Sequence, residues 1–230
     1  VGTIQQTKDF SWPNNWLNDA QINELKLIFA SCFKGISSDD YYQKYFADAK
    51  SFKRTLRCYY FDGKLVGYCL LTFEHSNKKV LIRASAGFYP EFRKGGNTLS
   101  FSISQAFKYW LTHPWQQIYY ADTMLSPAMY RAIVKRVAIS YPSSQSVPGQ
   151  QMLFDEFNGS GFESAYTKTK CLVETGRNSN YSAQELTSFL ASGKPEIAFY
   201  CKANPDFASG VALFVVMPVT LKQLVLTLLK

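Results

Sequence analysis

The sequence predicts an α/β fold in which a central, mostly antiparallel sheet is flanked by helices. Three observations carry that expectation. Two amphipathic helical stretches come early in the chain, a three-strand meander with tight turns follows, and a basic, glycine-bearing loop then joins a strand to a helix. At 230 residues one hydrophobic core still serves a whole chain, so a single domain over 1–230 is expected.

From Leu17 to Phe33 the residues Leu17, Ile22, Leu25, Ile28, Phe29 and Phe33 recur at helical spacing, with Asn18 and Asp19 available as caps. Ser38, Asp39 and Asp40 form a start signal before a second stripe, Tyr41, Tyr42, Tyr45, Phe46 and Ala49. The period then changes. Arg57 to Phe61, Asp62-Gly63 and Lys64 to Phe73 read as a hairpin, because Asp-Gly between β-rich runs signals a two-residue turn. A turn over 76–79 leads into a third strand, Val80 to Tyr89. Gly2 to Gln6 is the candidate for a first strand.

Leu99, Ile103, Phe107 and Trp110, with Ala106 and Leu111, mark one buried face of the next helix, ending near His113-Pro114; Gln117 to Asp122 reads as a strand. Ser126-Pro127 opens a helix over Ala128 to Ala138, since Ser caps and Pro fits a first helical turn. Residues 141–195 read as an insertion that begins as a Ser/Pro/Gln-rich loop and holds a helix near Ala183 to Ala191. Glu196 to Lys202 and Val211 to Met217 are expected to form a hairpin around Asn204-Pro205, followed by a helical stripe of Leu221, Leu224, Val225, Leu228 and Leu229. Pro218, Lys222 and Gln223 interrupt this apolar stretch, which argues against a membrane span.

An apolar share of 47% and an aromatic share of 16% exclude a disordered chain. Cys32, Cys58, Cys69, Cys171 and Cys201 are odd in number and form no CxxC pair, which argues against a disulfide framework and a zinc site. A reducing, cytoplasmic setting and no metal cofactor are the expectations. The net charge of +8 fits an acidic substrate, a membrane surface, nucleic acid or a polyanionic cofactor. Because the Lys and Arg residues are spread along the chain without a basic run, a nucleic-acid partner ranks lowest.

The loop from Phe88 through Pro90, Arg93, Lys94, Gly95, Gly96 and Asn97 to Thr98 joins a strand end to a helix start. Glycines there let successive backbone N–H groups face one concavity, the helix N-terminus adds partial positive charge, and Arg93 and Lys94 add full charges. A pyrophosphate suits that chemistry.

With its Pro-acidic-aromatic lead-in, Arg93 and Gly96, this stretch resembles the GNAT acetyltransferase superfamily, whose signature is Arg or Gln, two residues, Gly, one residue, then Gly or Ala. Thr98 stands where that signature has Gly or Ala. The order of elements over roughly residues 17–140 strengthens the resemblance, which implies a GNAT-like fold binding acetyl-CoA. By the same resemblance, the backbone of Gly87 and Phe88 holds the pantetheine arm, residues Arg93 to Thr98 hold the diphosphate, and Tyr130 in Ser126-Pro127-Ala128-Met129-Tyr130 protonates the departing thiolate.

Transfer to an amine also needs the ammonium deprotonated, since only the free amine is nucleophilic. Glu74, at the end of a central strand, is the candidate base, with Asp122 in reserve. The expected reaction passes an acetyl group from acetyl-CoA to a primary amine, on a small molecule or a protein, by direct attack in a ternary complex. The alternative is a non-catalytic protein of the same fold that binds CoA or a protein partner.

Overall fold

The computed structural model describes residues 4–93, 96–144, 150–179 and 181–230. The chain divides into two compact units, 1–117 and 118–230. Each combines helices with antiparallel strands, the α/β class that the sequence predicts.

In the first unit, β1 (Gln6–Trp12) precedes α1 (Asp19–Cys32), the two-residue β2 (Phe33–Lys34) and α2 (Ser38–Tyr45). A capping box fixes the start of α1: Asn18 Oδ1 accepts from the Gln21 N–H and Gln21 Oε1 from the Asn18 N–H, both at 3.0 Å. Ser37 caps α2 by accepting from the Asp40 N–H at 3.0 Å. The first strand starts only at Gln6, the last residue of the expected Gly2 to Gln6, of which residues 2 and 3 fall outside the described residues. Of β1 only Phe10 is buried, so the strand shows no apolar alternation by which a sequence could reveal it.

The meander is β3 (Ser51–Phe61), β4 (Lys64–Ser76) and β5 (Lys79–Phe88), antiparallel throughout, with β1 along the outer side of β3. Asp62 and Gly63 have φ of 49° and 69°, the left-handed pair that lets a two-residue turn match strand twist. Leu65 to Phe73 on β4 are buried without a break, because both faces of β4 are covered. Tyr68 and Leu70 pack in the cluster of Leu25, Ile28, Phe29 and Tyr41 under α1 and α2. Cys69 and Phe73 face α3 (Thr98–Thr112), where Cys69 Sγ lies 3.7 Å from Ser102 Oγ and the Phe73 ring 5.0 Å from that of Tyr109.

The second unit contains β6 (Gln117–Met124, whose first residue closes the first unit), α4 (Pro127–Val134), α5 (Gln150–Phe157), β7 (Leu172–Glu174), β8 (Asn178–Ser179), α6 (Ala183–Leu190), α7 (Pro195–Ala203), β9 (Val211–Pro218) and α8 (Leu221–Leu228). β9 runs antiparallel between β6 and β7. The hairpin expected from 196–202 and 211–217 is absent: residues 195–203 form α7. Pro195 occupies its first turn, and Ile197, Tyr200 and Ala203 are buried at helical spacing. α4 ends at Val134, short of the expected Ala138.

Arg131 on α4 pairs with Glu196 on α7 at 3.4 Å, and the Tyr130 ring stacks on Phe199 at 5.8 Å. The α8 stripe forms as a helix, yet Leu221, Val225, Leu228 and Leu229 are exposed. Buried Gln223 ties α8 down instead: its Oε1 accepts from the Ile139 N–H and its Nε2 donates to the Ile139 carbonyl, both at 2.8 Å. No described helix is long and apolar enough to cross a membrane; Pro218 ends β9 before α8 begins.

Candidate cofactor site

β5 ends at Phe88 because Pro90 cannot extend the ladder. Residues 90–92 make one tight helical turn, and the fifteen-residue α3 starts at Thr98. The strand end has a specific hydrogen-bond polarity. The Tyr89 N–H donates to the Val66 carbonyl at 3.1 Å, and Gly67 stands opposite Phe88. Antiparallel bonding alternates along a strand, so the Phe88 N–H and C=O are directed away from β4. The carbonyl accepts the Cys32 thiol at 3.2 Å. Burial pushes that thiol's pKa up, opposed by smaller downward pulls from the Ser31 side chain, the Phe88 backbone and the Arg93 charge.

Three glycines shape this end of the sheet. The Phe88 ring folds across Gly67 and also reaches under Gly96, so a Cβ at either position would collide with it. Tyr59, in register with Gly67, meets the same ring at 5.0 Å. A Cβ at Gly87 would come 2.8 Å from the Tyr68 ring and 3.2 Å from Cys32 Sγ. Gly96 is thus a packing glycine: it lets the loop settle on a buried aromatic ring.

Arg93 is exposed at the start of the loop. Lys94 and Gly95 lie outside the described residues. Asn97 caps α3, its Oδ1 accepting from the Ser100 N–H at 3.3 Å, and half-buried Thr98 is the first helical residue. An open cleft of about 490 Å³ adjoins the strand end, with Phe61, Tyr89 and Phe92 among its rings and Glu24, Asp62 and Glu91 among its charges.

Glu74 is not brought to this end. It stands opposite Leu81, seven residues along β4 from Gly67, which is about 23 Å at the usual strand rise. Its carboxylate pairs with Arg83 Nε at 3.4 Å. Tyr130, in the second unit, is 2% exposed and donates its hydroxyl to the Pro142 carbonyl at 3.0 Å; burial raises its pKa, with smaller contributions from Cys171 and Glu196. Asp122 is buried in β6 opposite Val215. Cys32, Tyr59, Gly67 and Tyr68 were not singled out by sequence; only Gly67, a glycine inside a strand, carried a signal.

No protein-family model matches the chain. No curated protein matches it either. Solved GNAT acetyltransferases are among the structures it resembles. The ribosomal-protein-S18-alanine N-acetyltransferase of Escherichia coli shares 8% identity at a TM-score of 0.39, over 94% of this chain and 96% of that one. An Arabidopsis thaliana protein in complex with the bisubstrate analogue CoA-Ac-MVNAL shares 15% identity at 0.39, over 63% and 93%. A GNAT-family acetyltransferase of Streptococcus pneumoniae shares 10% identity at 0.36, over 62% and 92%. The fold class itself rests on the strand register described above.

Proposed function

We propose that the chain is an acetyl-CoA-dependent N-acyltransferase, one GNAT-like domain over 1–230 with 141–195 as a decoration, acting in a reducing, cytoplasmic setting. The observation that carries the reading is the end of β5: Phe88 directs its backbone groups away from β4, and a basic loop leads at once to the N-terminus of α3. In this reading Gly87 and Phe88 hold the pantetheine arm by backbone. Arg93, Lys94, Gly95, Gly96, Asn97 and Thr98 form the diphosphate site, where amides, helix dipole and guanidinium all favour an anion.

The amine lone pair attacks the thioester carbonyl, the carbon–sulfur bond breaks, and the thiolate leaves to be protonated. Tyr130 and Glu74 are the proposed acid and base. Tyr130 would first have to release Pro142, and Glu74 would have to release Arg83 and act from the far end of β4. Those two geometries favour a second reading, a protein of the same fold that binds CoA or a protein partner without turnover.

Calorimetric titration of acetyl-CoA into the wild type and Arg93→Glu tests the shared claim. Micromolar binding that weakens at least about tenfold in the variant is expected; two folded proteins that both fail to bind would overturn it. Gly96→Glu is a poorer probe, since its side chain would be driven into the Phe88 ring. Turnover with a panel of primary amines then separates enzyme from binder.

A further inference from the structure

At the end of the meander away from the loop, both histidines of the chain belong to one row of rings. Trp115 lies 5.7 Å from His113, which stacks on Tyr109 at 4.3 Å and 15°. Tyr109 lies 6.3 Å from Phe52, which stacks on His75 at 4.3 Å and 16°. The row ends in exposed rings: Trp115 is 76% exposed, and His75 is exposed too.

The strand register brings four lysines to the same end of the sheet, and Lys79, opposite Ser76, belongs to the face away from the Phe73 and His75 rings. Ser51 stands opposite Glu74, and Ser76 opposite Lys79, so Lys50 and Lys53 at the start of β3 share an end of the sheet with Lys78 and Lys79 at the β4–β5 turn. Lys53 Nζ lies over the Phe73 and Tyr109 rings at 5.2 and 5.4 Å. Of the carboxylates here, Glu74 is engaged by Arg83. The end is therefore basic and aromatic, although its lysines are scattered in sequence.

We infer that this end binds single-stranded nucleic acid, with bases stacking on the exposed rings of Trp115 and His75 and phosphates drawn to Lys50, Lys53 and Lys78. Rings with open faces are tolerant of base identity, and lysines track a backbone. A folded acidic protein would use the charge but leave the flat ring faces without a matching partner. The inference does not depend on the acyltransferase reading.

The test is fluorescence anisotropy of labelled oligo(dT) and oligo(U) with the full chain; the two probes separate DNA from RNA. Binding of either is expected, with log K falling against log salt at a slope of about −2 for three phosphate contacts. Trp115→Ala, at an exposed position, should weaken it roughly tenfold, and Lys78→Ala should flatten the slope by about 0.7. Failure of both probes to bind overturns the inference. So does binding that Trp115→Ala leaves unchanged, which marks a polyanion held by charge alone. Polyglutamate competing as well as unlabelled oligonucleotide also overturns it, in favour of an acidic protein partner.

Discussion

The two ends of the β4–β5 pair use aromatic rings in opposite ways. At the loop end, glycines make room for rings: Phe88 fills the space over Gly67 and under Gly96, and Tyr68 the space at Gly87. The rings are buried and fix backbone. At the far end no described glycine makes way, and the rings of His75 and Trp115 come to the surface. The same residue type thus sets main-chain position where a small partner lets it in, and offers a surface where none does. Charge is mixed at the loop end, where Glu24, Asp62 and Glu91 line the cleft with Lys64 and Arg93 opens the loop, while lysines outnumber carboxylates at the other.

The comparison breaks most directly at Gly67. Gly67→Ala places a methyl group in the Phe88 ring, which Tyr59 keeps from retreating, and should cost about 3 kcal/mol in urea unfolding. The double variant with Phe88→Ala should be less destabilised than the sum of the two single changes. Additive losses would show that the ring is not what Gly67 accommodates.

A smaller effect is expected at Tyr130. Removing its hydroxyl leaves the Pro142 carbonyl without that donor, so Tyr130→Phe should lose about 1–2 kcal/mol by chemical denaturation. Unchanged stability with a large fall in turnover would instead mark a hydroxyl used in proton transfer. The smallest effect belongs to Glu74→Gln, which weakens a partly exposed pair with Arg83; less than about 1 kcal/mol should be lost. Acetyl-CoA affinity should stay unchanged in the same titration, because the residue lies at the far end, and a large change would place it near the cofactor.

The sequence made legible those elements whose signals are local. Asp62-Gly63 announces its turn because both residues adopt positive φ, and Ser126-Pro127 announces α4 through a cap and a ring-fixed φ. Pro195 carries the same helix signal, but Ile197, Phe199 and Cys201 also alternate as strand residues do, so the stretch reads both ways by sequence. β1 escaped because an edge strand with one buried residue has no pattern to show. At the loop, the basic and glycine residues pointed to an anion site. That Gly96 meets Phe88 was invisible, since nothing in the sequence says which way a strand-end ring will fold. The lysines of the far end looked dispersed for a related reason: only strand register brings residue 50 to the same end of the sheet as residue 78.

The pairing of Gln223 with both peptide groups of Ile139 sets an order of events during translation. These residues are 84 positions apart, and at ordinary elongation rates roughly 4 to 17 s separate their synthesis. Throughout that interval the Ile139 peptide must be left to water or to a chaperone. The meander is complete by residue 88 and α3 by residue 112, so both have been synthesised long before Gln223 is added.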